Sequence, residues 1–195
     1  MAFQLLQKVQ KLGVKILNNI SVESFVTQDS SMEVKTDKIN FKTQKLFIAT
    51  NGFAKQFVAE EVQPARAQVL ITTPIKNLKI KGTFHLDKGY YYFRNIDNRI
   101  LLGGGRNLDF KTEETAVFGQ TPRIQNELEK ILKEIILPNT SFEIEHRWSG
   151  IMGVGPQKKA IVKQLSDNVF CGVRLGGMGV AIGSLVGKEL GELLT

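Results

Sequence analysis

The sequence predicts an α/β protein with a substantial antiparallel sheet. Short segments in which apolar and polar residues alternate recur along the chain between polar turns, which is typical of antiparallel strands. One long segment, residues 121–137, instead repeats its apolar residues at the spacing of a helix. Near the end of the chain a strand, a glycine-rich loop and a helix follow one another, as they do in α/β folds.

The first sixty residues predict one helix and four short strands. Residues 3–12 carry their apolar side chains on one side of a helix, which Gly13 is expected to end. The expected strands are Val14–Leu17, Val22–Thr27, Met32–Lys35 and Lys45–Thr50, and polar turns such as Gln28–Ser31 separate them.

The region that begins at Pro64 is expected to form an antiparallel sheet and the long helix. Its strands are predicted at Gln68–Thr73, Gly82–Leu86, Gly89–Arg94, Arg99–Gly103 and Ser141–Trp148, with Asn95–Asn98 as a hairpin loop. Thr121 is expected to cap the helix, Pro122 lies in its first turn and Pro138 stops it. A last strand, Asn168–Val173, leads through the loop Arg174–Gly179 into a helix from about Val180 to Leu194.

Composition argues against several classes of partner. The net charge is +7, but the lysines are scattered and no nucleic-acid-binding motif accompanies them, so we expect a solvated basic surface and no nucleic-acid partner. No stretch approaches about 18 uncharged apolar residues, so no membrane span is expected. The single cysteine, Cys171, excludes an internal disulfide framework and favours a reducing compartment, hence the cytoplasm.

Metal and hydrolase chemistry have little support in the sequence. His85 and His146 do not lie at metal-ligand spacing to Cys171, so no metal site is predicted. The residues around Ser184, Gly183-Ser184-Leu185, do not match the nucleophile elbow of hydrolases.

The strongest functional signal is the glycine loop Arg174–Gly179. Glycines allow a ligand to approach the backbone closely, and free N–H groups at a helix start favour an anionic or electron-rich group. The spacing G-x-G-x-x-x-G differs from the dinucleotide-binding fingerprint G-x-G-x-x-G. A packing role is the alternative, because Gly179, Gly183, Gly187 and Gly191 recur every four residues and would let the helix lie close to a neighbour.

A second signal is the abrupt end of an apolar strand in Asn51-Gly52. Ligands of open α/β sheets bind beyond the carboxyl ends of strands, although an ordinary turn would use the same residues. The first βαβ unit that is usual in such a sheet does not occur in this sequence. We therefore expect the sequence to begin partway through a larger fold.

Five segments, in the correct order, resemble the D-amino-acid oxidase family, which includes glycine oxidase and sarcosine oxidase. They are KLGVKILNNISVESF, KLFIATNGFA, PARAQVLITTP, GYYYFRNIDNRILLGGG, and RWSGIMGVGP with NVFCGVRLGGMGVAIGSLVGKELGELL. The resemblance spans nearly the whole chain and implies part of a Rossmann-like FAD-binding domain, residues 1–60 and 149–195. It also implies an antiparallel-sheet substrate domain, residues 61–148, which contains the helix 121–137.

By position in these motifs, the resemblance implies a set of cofactor-binding residues. Val22 would offer its backbone to the adenine side of FAD, while Thr50, Asn51 and Gly52 would lie near the phosphate or ribitol region. The flavin ring would contact Gly176, Gly177, Met178, Gly179 and Val180, with helix N–H groups near its N1 and O2 edge, where a reduced flavin is negative. Because Cys171 lies inside an apolar strand, we expect non-covalent FAD.

The sequence also departs from the family's motifs. The N-terminal G-x-G-x-x-G and the ribose-binding acidic residue do not occur in it. Met152 stands where several members have an arginine for the substrate carboxylate, and Gly177 stands where some have a second one. Candidate replacements are Arg94, Arg147 and Arg174, each with a structural role as the alternative.

The hairpin 89–103 is the predicted substrate side. Tyr90, Tyr92 and Arg94 share one face of a strand, and Tyr91 and Phe93 point to the opposite face, where they can pack in a core. Tyr90 matches a substrate-side tyrosine of some family members. We therefore predict Tyr90 and Arg94 as residues that orient the substrate, with a solvent-exposed face as the alternative.

Together these inferences predict an FAD-dependent oxidoreductase. The resemblance implies that it oxidises a C–N bond of a small-molecule amine or amino acid by hydride transfer to the flavin. The alternative is a non-catalytic fragment or module that another chain completes. Residues 1–195 alone are expected to be inactive, because the pyrophosphate-binding fingerprint is not among them.

Overall fold

The computed structural model describes residues 2–28 and 31–194, and the chain forms two compact units. Unit 1 contains residues 1–46 and 165–169, and unit 2 contains residues 47–164 and 170–195. Two residues of the predicted turn Gln28–Ser31, Asp29 and Ser30, lie outside the described residues. The mixed α/β architecture with antiparallel sheets confirms the predicted fold class.

Unit 1 holds the first helix, α1 (Ala2–Lys11), and a sheet in the order β1 (Val22–Gln28), β2 (Ser31–Thr36), β3 (Phe41–Thr43). Both neighbouring pairs are antiparallel, with Phe25 opposite Val34 and Val34 opposite Phe41. The helix and the first two strands confirm the sequence prediction. The short strand β3 was not predicted, because three residues are too few to establish an alternating pattern.

The predicted strand Val14–Leu17 is wrong. The segment has no regular structure and its apolar ends are exposed, Val14 by 53% and Leu17 by 55%. Gly13 ends α1 at φ +87°, and no described strand pairs with the residues that follow. Apolar alternation alone does not make a strand, because the backbone groups also need hydrogen-bonding partners.

Unit 2 is built on a five-stranded antiparallel sheet in the order β6, β7, β8, β5, β9. The strands are β5 (Gln63–Thr72), β6 (Thr83–Leu86), β7 (Tyr91–Ile96), β8 (Arg99–Gly104) and β9 (Ile144–Val154). Asp97 and Asn98 form the tight turn between β7 and β8 with φ of +48° and +58°. The four-residue loop predicted there is thus shorter, because Asn and Asp tolerate positive φ and allow a two-residue turn.

A helix packs on this sheet and completes the core of unit 2. The helix α2 (Pro122–Ile131) continues through a π-helical segment, Leu132–Ile136. Tyr91 and Phe93 point into the core, as predicted, where they join residues of β5, β8, α2 and the π-helical segment: Leu70, Ile100, Leu102, Ile124, Leu128 and Leu132. Thr121 occupies the capping position, but its side chain makes no cap; its Oγ1 accepts a hydrogen bond from Gln68 Nε2 at 3.0 Å.

The remaining elements are β4 (Leu46–Ile48), β10 (Ile161–Ser166), β11 (Val169–Val173) and α3 (Gly179–Glu192). The strand order is β10, β11, β4. Strand β10 was not predicted, and β4 is shorter than the predicted Lys45–Thr50 because Asn51, at φ +44°, turns the chain into a 3-10 helix, Asn51–Gln56. The last strand, the glycine loop and the last helix follow one another as predicted.

Candidate active site

The Asn51-Gly52 turn lies directly against strand β9. A Cβ atom on Gly52 would stand 2.8 Å from the carbonyl oxygen of Ile151, and one on Gly153 would stand 2.7 Å from Asn51 Oδ1. Such distances are far below van der Waals contact, so the turn and the strand approach this closely only because both positions are glycine. The Asn-Gly turn is therefore fixed in place by packing.

Asn51 also joins the turn to the glycine loop. Its side-chain Oδ1 accepts a hydrogen bond from the backbone N–H of Leu175 at 3.0 Å. Gly176 N–H donates to the carbonyl oxygen of Gly153 at 2.9 Å. The two sequence signals, which lie 124 residues apart, thus meet beside the end of β9. The Asn51 side chain is therefore occupied by a bond within the protein.

The glycine loop has an open surface. Gly176 has φ +59° and nothing within 4 Å of where a Cβ would lie, and the nearest atom to a Cβ on Gly177 is Met152 Sδ at 3.9 Å. These glycines are therefore not required for packing among the described residues. They leave room for a flat group to lie against the backbone.

The helix α3 begins directly after this surface. Its first return hydrogen bonds run from the N–H groups of Ala181 and Ile182 to the carbonyl oxygen of Met178, at 2.9 and 3.0 Å. The preceding N–H groups belong to Gly179 and Val180, and both Met178 and Val180 are exposed, by 50% and 81%. The positive end of the helix dipole thus lies at the open glycine surface.

The glycines that recur every four residues along α3 are a separate feature. A Cβ atom added to Gly183, Gly187 or Gly191 would have no described atom within 4 Å, so the predicted packing partner of this helix face is not among the described residues.

Two of the three candidate arginines serve the structure. Arg174, with φ +61°, donates from Nε to the carbonyl oxygen of Lys159 at 2.9 Å and from NH1 to that of Glu61 at 3.1 Å. Arg147 donates to Gln125 and Glu129, both at 2.7 Å. The guanidinium groups of Arg147 and Arg174 therefore bind partners within the protein, which is the structural role that the sequence analysis gave as the alternative.

Arg94 and Tyr90 lie at different distances from the glycine loop. Arg94 pairs with Leu101, whereas Tyr91 pairs with Gly104, three residues nearer to the end of the sheet where Tyr90 lies. At about 3.3 Å per residue, roughly 13 Å of strand separates Arg94 from Tyr90. In the register of β5 with its neighbours β8 and β9, the Tyr90 end of the sheet lies nearer than the Arg94 end to the part of β9 that contacts the glycine loop. Arg94 is exposed and faces the edge-strand residue Thr83.

A fourth arginine, which the sequence analysis missed, lies at the Tyr90 end. Arg106 begins a 3-10 turn, Arg106–Leu108, directly after Gly104 and Gly105. A Cβ on Gly104 would stand 2.0 Å from the carbonyl oxygen of Tyr90, so only glycine lets the chain pass there. The guanidinium Cζ lies 4.8 Å from the centre of the Phe110 ring. The available signal was the run Gly103-Gly104-Gly105-Arg106 at a strand end.

A buried polar network anchors the loop that carries Arg106 and Phe110. Glu113 is fully buried and accepts hydrogen bonds from Arg66, from Nε at 2.9 Å and NH2 at 2.8 Å, and from Gln68 Nε2 at 3.0 Å. The backbone N–H of Arg66 also donates to the Glu113 carbonyl oxygen at 2.8 Å. Hydrogen bonding to Glu113 raises the pKa of Arg66 although burial opposes this, so the arginine is charged. The loop is therefore tied to β5 by a bidentate ion pair.

Comparison with known proteins decides the family. The profile of the DAO family, described as FAD dependent oxidoreductase, matches residues 1–193. The chain belongs to this family. It is 20% identical, over 94% of its length, to the probable oxidoreductase OrdL of Haemophilus influenzae, of which it covers 43%. The resemblance inferred from the motifs is thereby confirmed.

Several solved structures share the fold of this chain. The L-proline dehydrogenase from P. horikoshii has a TM-score of 0.78 at 22% identity, covering 97% of this chain and 53% of that chain. Glycine oxidase from Geobacillus kaustophilus has a TM-score of 0.76 at 14% identity, covering 93% of this chain and 50% of that chain. The chain spans about half the length of the relatives that it matches.

FAD, the cofactor of the family, fits the glycine surface of this chain. The open backbone at Gly176 and Gly177 admits a planar ring, which a side chain at either position would obstruct. The N–H groups at the start of α3 suit a ring edge that becomes negative on reduction. The donor set therefore agrees with a flavin.

Two other predicted cofactor positions, Val22 in unit 1 and Thr50 in unit 2, are exposed. Val22 begins β1 in unit 1, is 40% exposed and adjoins an irregularity in the pairing of β1 with β2. Thr50 is exposed and precedes the 3-10 helix. Cys171 is buried in β11, and burial raises the pKa of its thiol. Within residues 2–28 and 31–194 there is no cluster of three or more metal-ligand side chains and no helix long and apolar enough to cross a membrane.

Proposed function

We propose that this chain contributes the flavin-ring and substrate sides of an enzyme that oxidises a C–N bond of an amine or amino acid. The observation that carries the proposal is the junction of the two loops: Asn51 bonds to Leu175, and Gly176 bonds to Gly153, beside an open glycine surface. The solved relatives include enzymes named for proline, glycine and other amino acids, which supports this substrate class.

The backbone of the chain would hold FAD at three places. Gly176, Gly177, Met178, Gly179 and Val180 would contact the ring, and Thr50, Asn51 and Gly52 would lie near the phosphate or ribitol region. Val22 would offer its backbone to the adenine side. When bound, FAD supplies the acceptor for the hydride that leaves the substrate carbon. The chain's own part is to orient the ring, exclude water from its face and hold the substrate.

Tyr90 is the substrate-side residue that the geometry favours. It lies at the end of the sheet nearer to the glycine loop, and the residue is 42% exposed, which supports a role in contacting a ligand. Arg94, the other predicted residue, stands roughly 13 Å further along the strand, which makes it a poor partner for a ligand held by Tyr90.

The test is anaerobic flavin reduction in the complete protein by a panel of amines and amino acids. Bleaching of the oxidised flavin band by at least one of them is the expected result. Tyr90→Phe should weaken substrate binding about 3- to 10-fold, the effect of one hydrogen bond, while leaving the flavin content unchanged. Arg94→Lys should change neither quantity, and a larger effect of Arg94→Lys than of Tyr90→Phe would contradict the geometric argument.

We also propose that the flavin is held without a covalent bond. Cys171 is buried inside a strand and its raised thiol pKa disfavours the reactive thiolate. Acid precipitation of the complete protein should therefore release the yellow colour into the supernatant. Colour retained in the pellet would show a covalent link.

The alternative is a non-catalytic module that another chain completes. Residues 1–195 lack G-x-G-x-x-G, and we expect them to bind FAD weakly by themselves. The DNA upstream of Met1 separates the two proposals: an in-frame fingerprint supports the enzyme, and its absence supports the module. Stoichiometric micromolar binding of FAD to residues 1–195 would contradict the expectation of weak binding.

A further inference from the structure

The five-stranded sheet of unit 2 packs its helix, α2, on one face only. Leu70 and Phe93 point to that face and are buried in the core with the helix. On β9, Arg147 also bonds to α2, so the alternation along the strand turns Trp148 and Gly150 to the opposite face. Both of these residues are exposed, Trp148 by 40%. The face opposite α2 is therefore accessible to a ligand.

One row of paired residues crosses four strands on this accessible face: Tyr92, Gly103, Val69 and Trp148. A Cβ on Gly103 would stand 2.4 Å from Val69 Cγ1 and 2.7 Å from the Tyr92 hydroxyl oxygen, so the Tyr92 ring lies across Gly103 toward Val69. Burial raises the pKa of Tyr92, so its hydroxyl is uncharged at neutral pH. The row is thus a continuous wall of uncharged side chains.

The next row toward the glycine loop has almost no side chains. It contains Ala67, which pairs with Gly150, and a Cβ on Gly150 would meet nothing within 4 Å. The neighbours of Gly150 on the same face of β9 are Trp148 and Met152, whose Cα atoms lie roughly 13 Å apart at about 3.3 Å per residue. Ala67 and Gly150 therefore form a bare shelf between two large side chains, with room for about one ring.

The shelf adjoins the glycine surface to which the flavin ring is assigned. Met152 borders the shelf, and its Sδ is the nearest atom, at 3.9 Å, to where a Cβ on Gly177 would lie. The next residue, Gly153, accepts the hydrogen bond from Gly176 N–H at 2.9 Å. All of these residues belong to unit 2. A substrate whose reacting carbon lies over the flavin ring can therefore extend a substituent past Met152 onto the shelf.

The surroundings of the shelf favour an apolar substituent. The side chains that border it are uncharged: those of Val69, Trp148, Tyr92 and Met152. The basic strand residues of this face are more distant, because His85 pairs with Tyr92 at the far edge of the sheet, and Arg94 and His146 lie beyond the row of Tyr92 and Trp148. An ionised substituent on the shelf would lose water without gaining a partner, whereas an apolar one is stabilised by burial.

We propose that this shelf holds a ring-sized apolar substituent of the substrate and that Gly150 is the residue that determines this specificity. The inference rests on the proposed function and names the substrate class of the same site: an amine or amino acid that carries an aromatic or similarly large apolar group. Gly150 determines the specificity because any side chain at this position would project into the space that the substituent occupies.

The test compares compounds that differ only by a phenyl ring, in the complete, FAD-loaded protein. Anaerobic flavin reduction is measured with two pairs, racemic alanine and phenylalanine, and ethylamine and 2-phenylethylamine. Perturbation of the flavin absorbance measures the binding of a third pair, propionate and 3-phenylpropionate, which have no C–N bond to oxidise. Each pair gives the ratio of the phenyl-bearing to the smaller compound, in second-order rate constant or in affinity, and effects common to both compounds cancel in this ratio. Flavin content and circular dichroism report on folding.

The wild-type protein should prefer the phenyl-bearing compound about 10- to 100-fold, the effect of burying one ring. Gly150→Leu fills the shelf and should lower this ratio at least about 10-fold. Trp148→Ala lengthens the shelf and should raise the affinity for 3-(2-naphthyl)propionate relative to 3-phenylpropionate about 3- to 10-fold, a gain that general destabilisation would not produce. His146→Leu is the matched control: it places the same side chain on the same face of β9, beyond Trp148, and should change the phenyl ratio less than about twofold.

Three outcomes would overturn the inference: a wild-type protein that does not prefer the phenyl-bearing compounds, an unchanged ratio in Gly150→Leu, or an equal change in His146→Leu. If amines or amino acids reduce the flavin but the phenyl ring has no effect, only the assignment of the shelf fails. If 3-phenylpropionate is preferred and Gly150→Leu abolishes the preference, but no amine or amino acid reduces the flavin, the shelf is supported and the proposed oxidation fails.

Discussion

Replacing Glu113 by glutamine removes the negative charge that compensates Arg66 inside unit 2. Glutamine has nearly the volume of glutamate, so no cavity forms, but its amide NH₂ would face the guanidinium where a carboxylate oxygen stood. Arg66 is 8% exposed and Glu113 is fully buried, so solvent cannot replace the lost partner. Breaking a buried pair in this way costs about 3–5 kcal/mol. We expect the free energy of unfolding of Glu113→Gln to fall by about that amount.

Urea unfolding of the complete protein, followed by circular dichroism, measures this loss. The neighbouring Glu114 is exposed, so Glu114→Gln is the control and should change the free energy of unfolding by less than about 0.5 kcal/mol. The double variant Arg66→Met with Glu113→Met removes both charges and should be more stable than Glu113→Gln alone. A loss below about 1 kcal/mol in Glu113→Gln, or a double variant no more stable than it, would refute the account of the pair as a mutually compensated buried anchor.

Three further predictions follow from local geometry. Gly104→Ala should lower the free energy of unfolding by at least about 3 kcal/mol, because Gly104 has φ +124° and an added Cβ would lie 2.0 Å from a carbonyl oxygen. Gly150→Ala is the control: its Cβ would have nothing within 4 Å, so it should be neutral or slightly stabilising in the same urea assay. The pKa of Glu145 should lie below the ordinary value of about 4.3, because Arg99 donates to it at 2.6 Å. This interaction stabilises the folded state above the unfolded-state pKa of Glu145, and its contribution to stability is lost as pH falls through the folded-state pKa. NMR titration should show the pKa of Glu145 rising in Arg99→Met. Asn51→Gly keeps the positive φ and loses the hydrogen bond to the glycine loop, so FAD should bind about 10-fold more weakly in a fluorescence titration. Asn51→Asp retains the acceptor and should lose less affinity for FAD. Equal losses of affinity in the two variants would exclude this hydrogen bond as the cause.

The parts of the fold that sequence predicted well are those in which local and tertiary requirements agree. Tyr91 and Phe93 alternate with polar neighbours and do pack in the core, and the final strand, loop and helix occur in the expected order. Val14–Leu17 shows the converse: its alternation is strand-like, but no described strand supplies hydrogen bonds. Strand β9 extends to Val154, beyond the predicted end at Trp148, because β5 pairs with it as far as Gly153 and Val154.

The cofactor side was predictable in its position but not in its chemistry. The motif order located both loops. The sequence could not reveal that the Asn51 side chain accepts a hydrogen bond from Leu175, or that Gly52 is required for close packing while Gly176 has free space around it. These distinctions depend on contacts between segments that lie about a hundred residues or more apart. Glycine is the same letter in both roles, and only the distance to the neighbouring atoms separates them.

The choice among arginines depends on which donors the protein itself uses. In the sequence, Arg94, Arg147 and Arg174 are all candidates, because each could present a guanidinium to a carboxylate, and Arg94 is preferred because it shares a strand face with Tyr90. In the structure, the second and third are committed to partners within the protein. Strand register separates the first from Tyr90. Arg106 differs from these three, because its buried Nε has no hydrogen-bonding partner among the residues that the structure describes, and its guanidinium lies over the exposed ring of Phe110. Whether an arginine is committed to bonds within the protein thus depends on contacts between distant segments, and the sequence alone does not show those contacts.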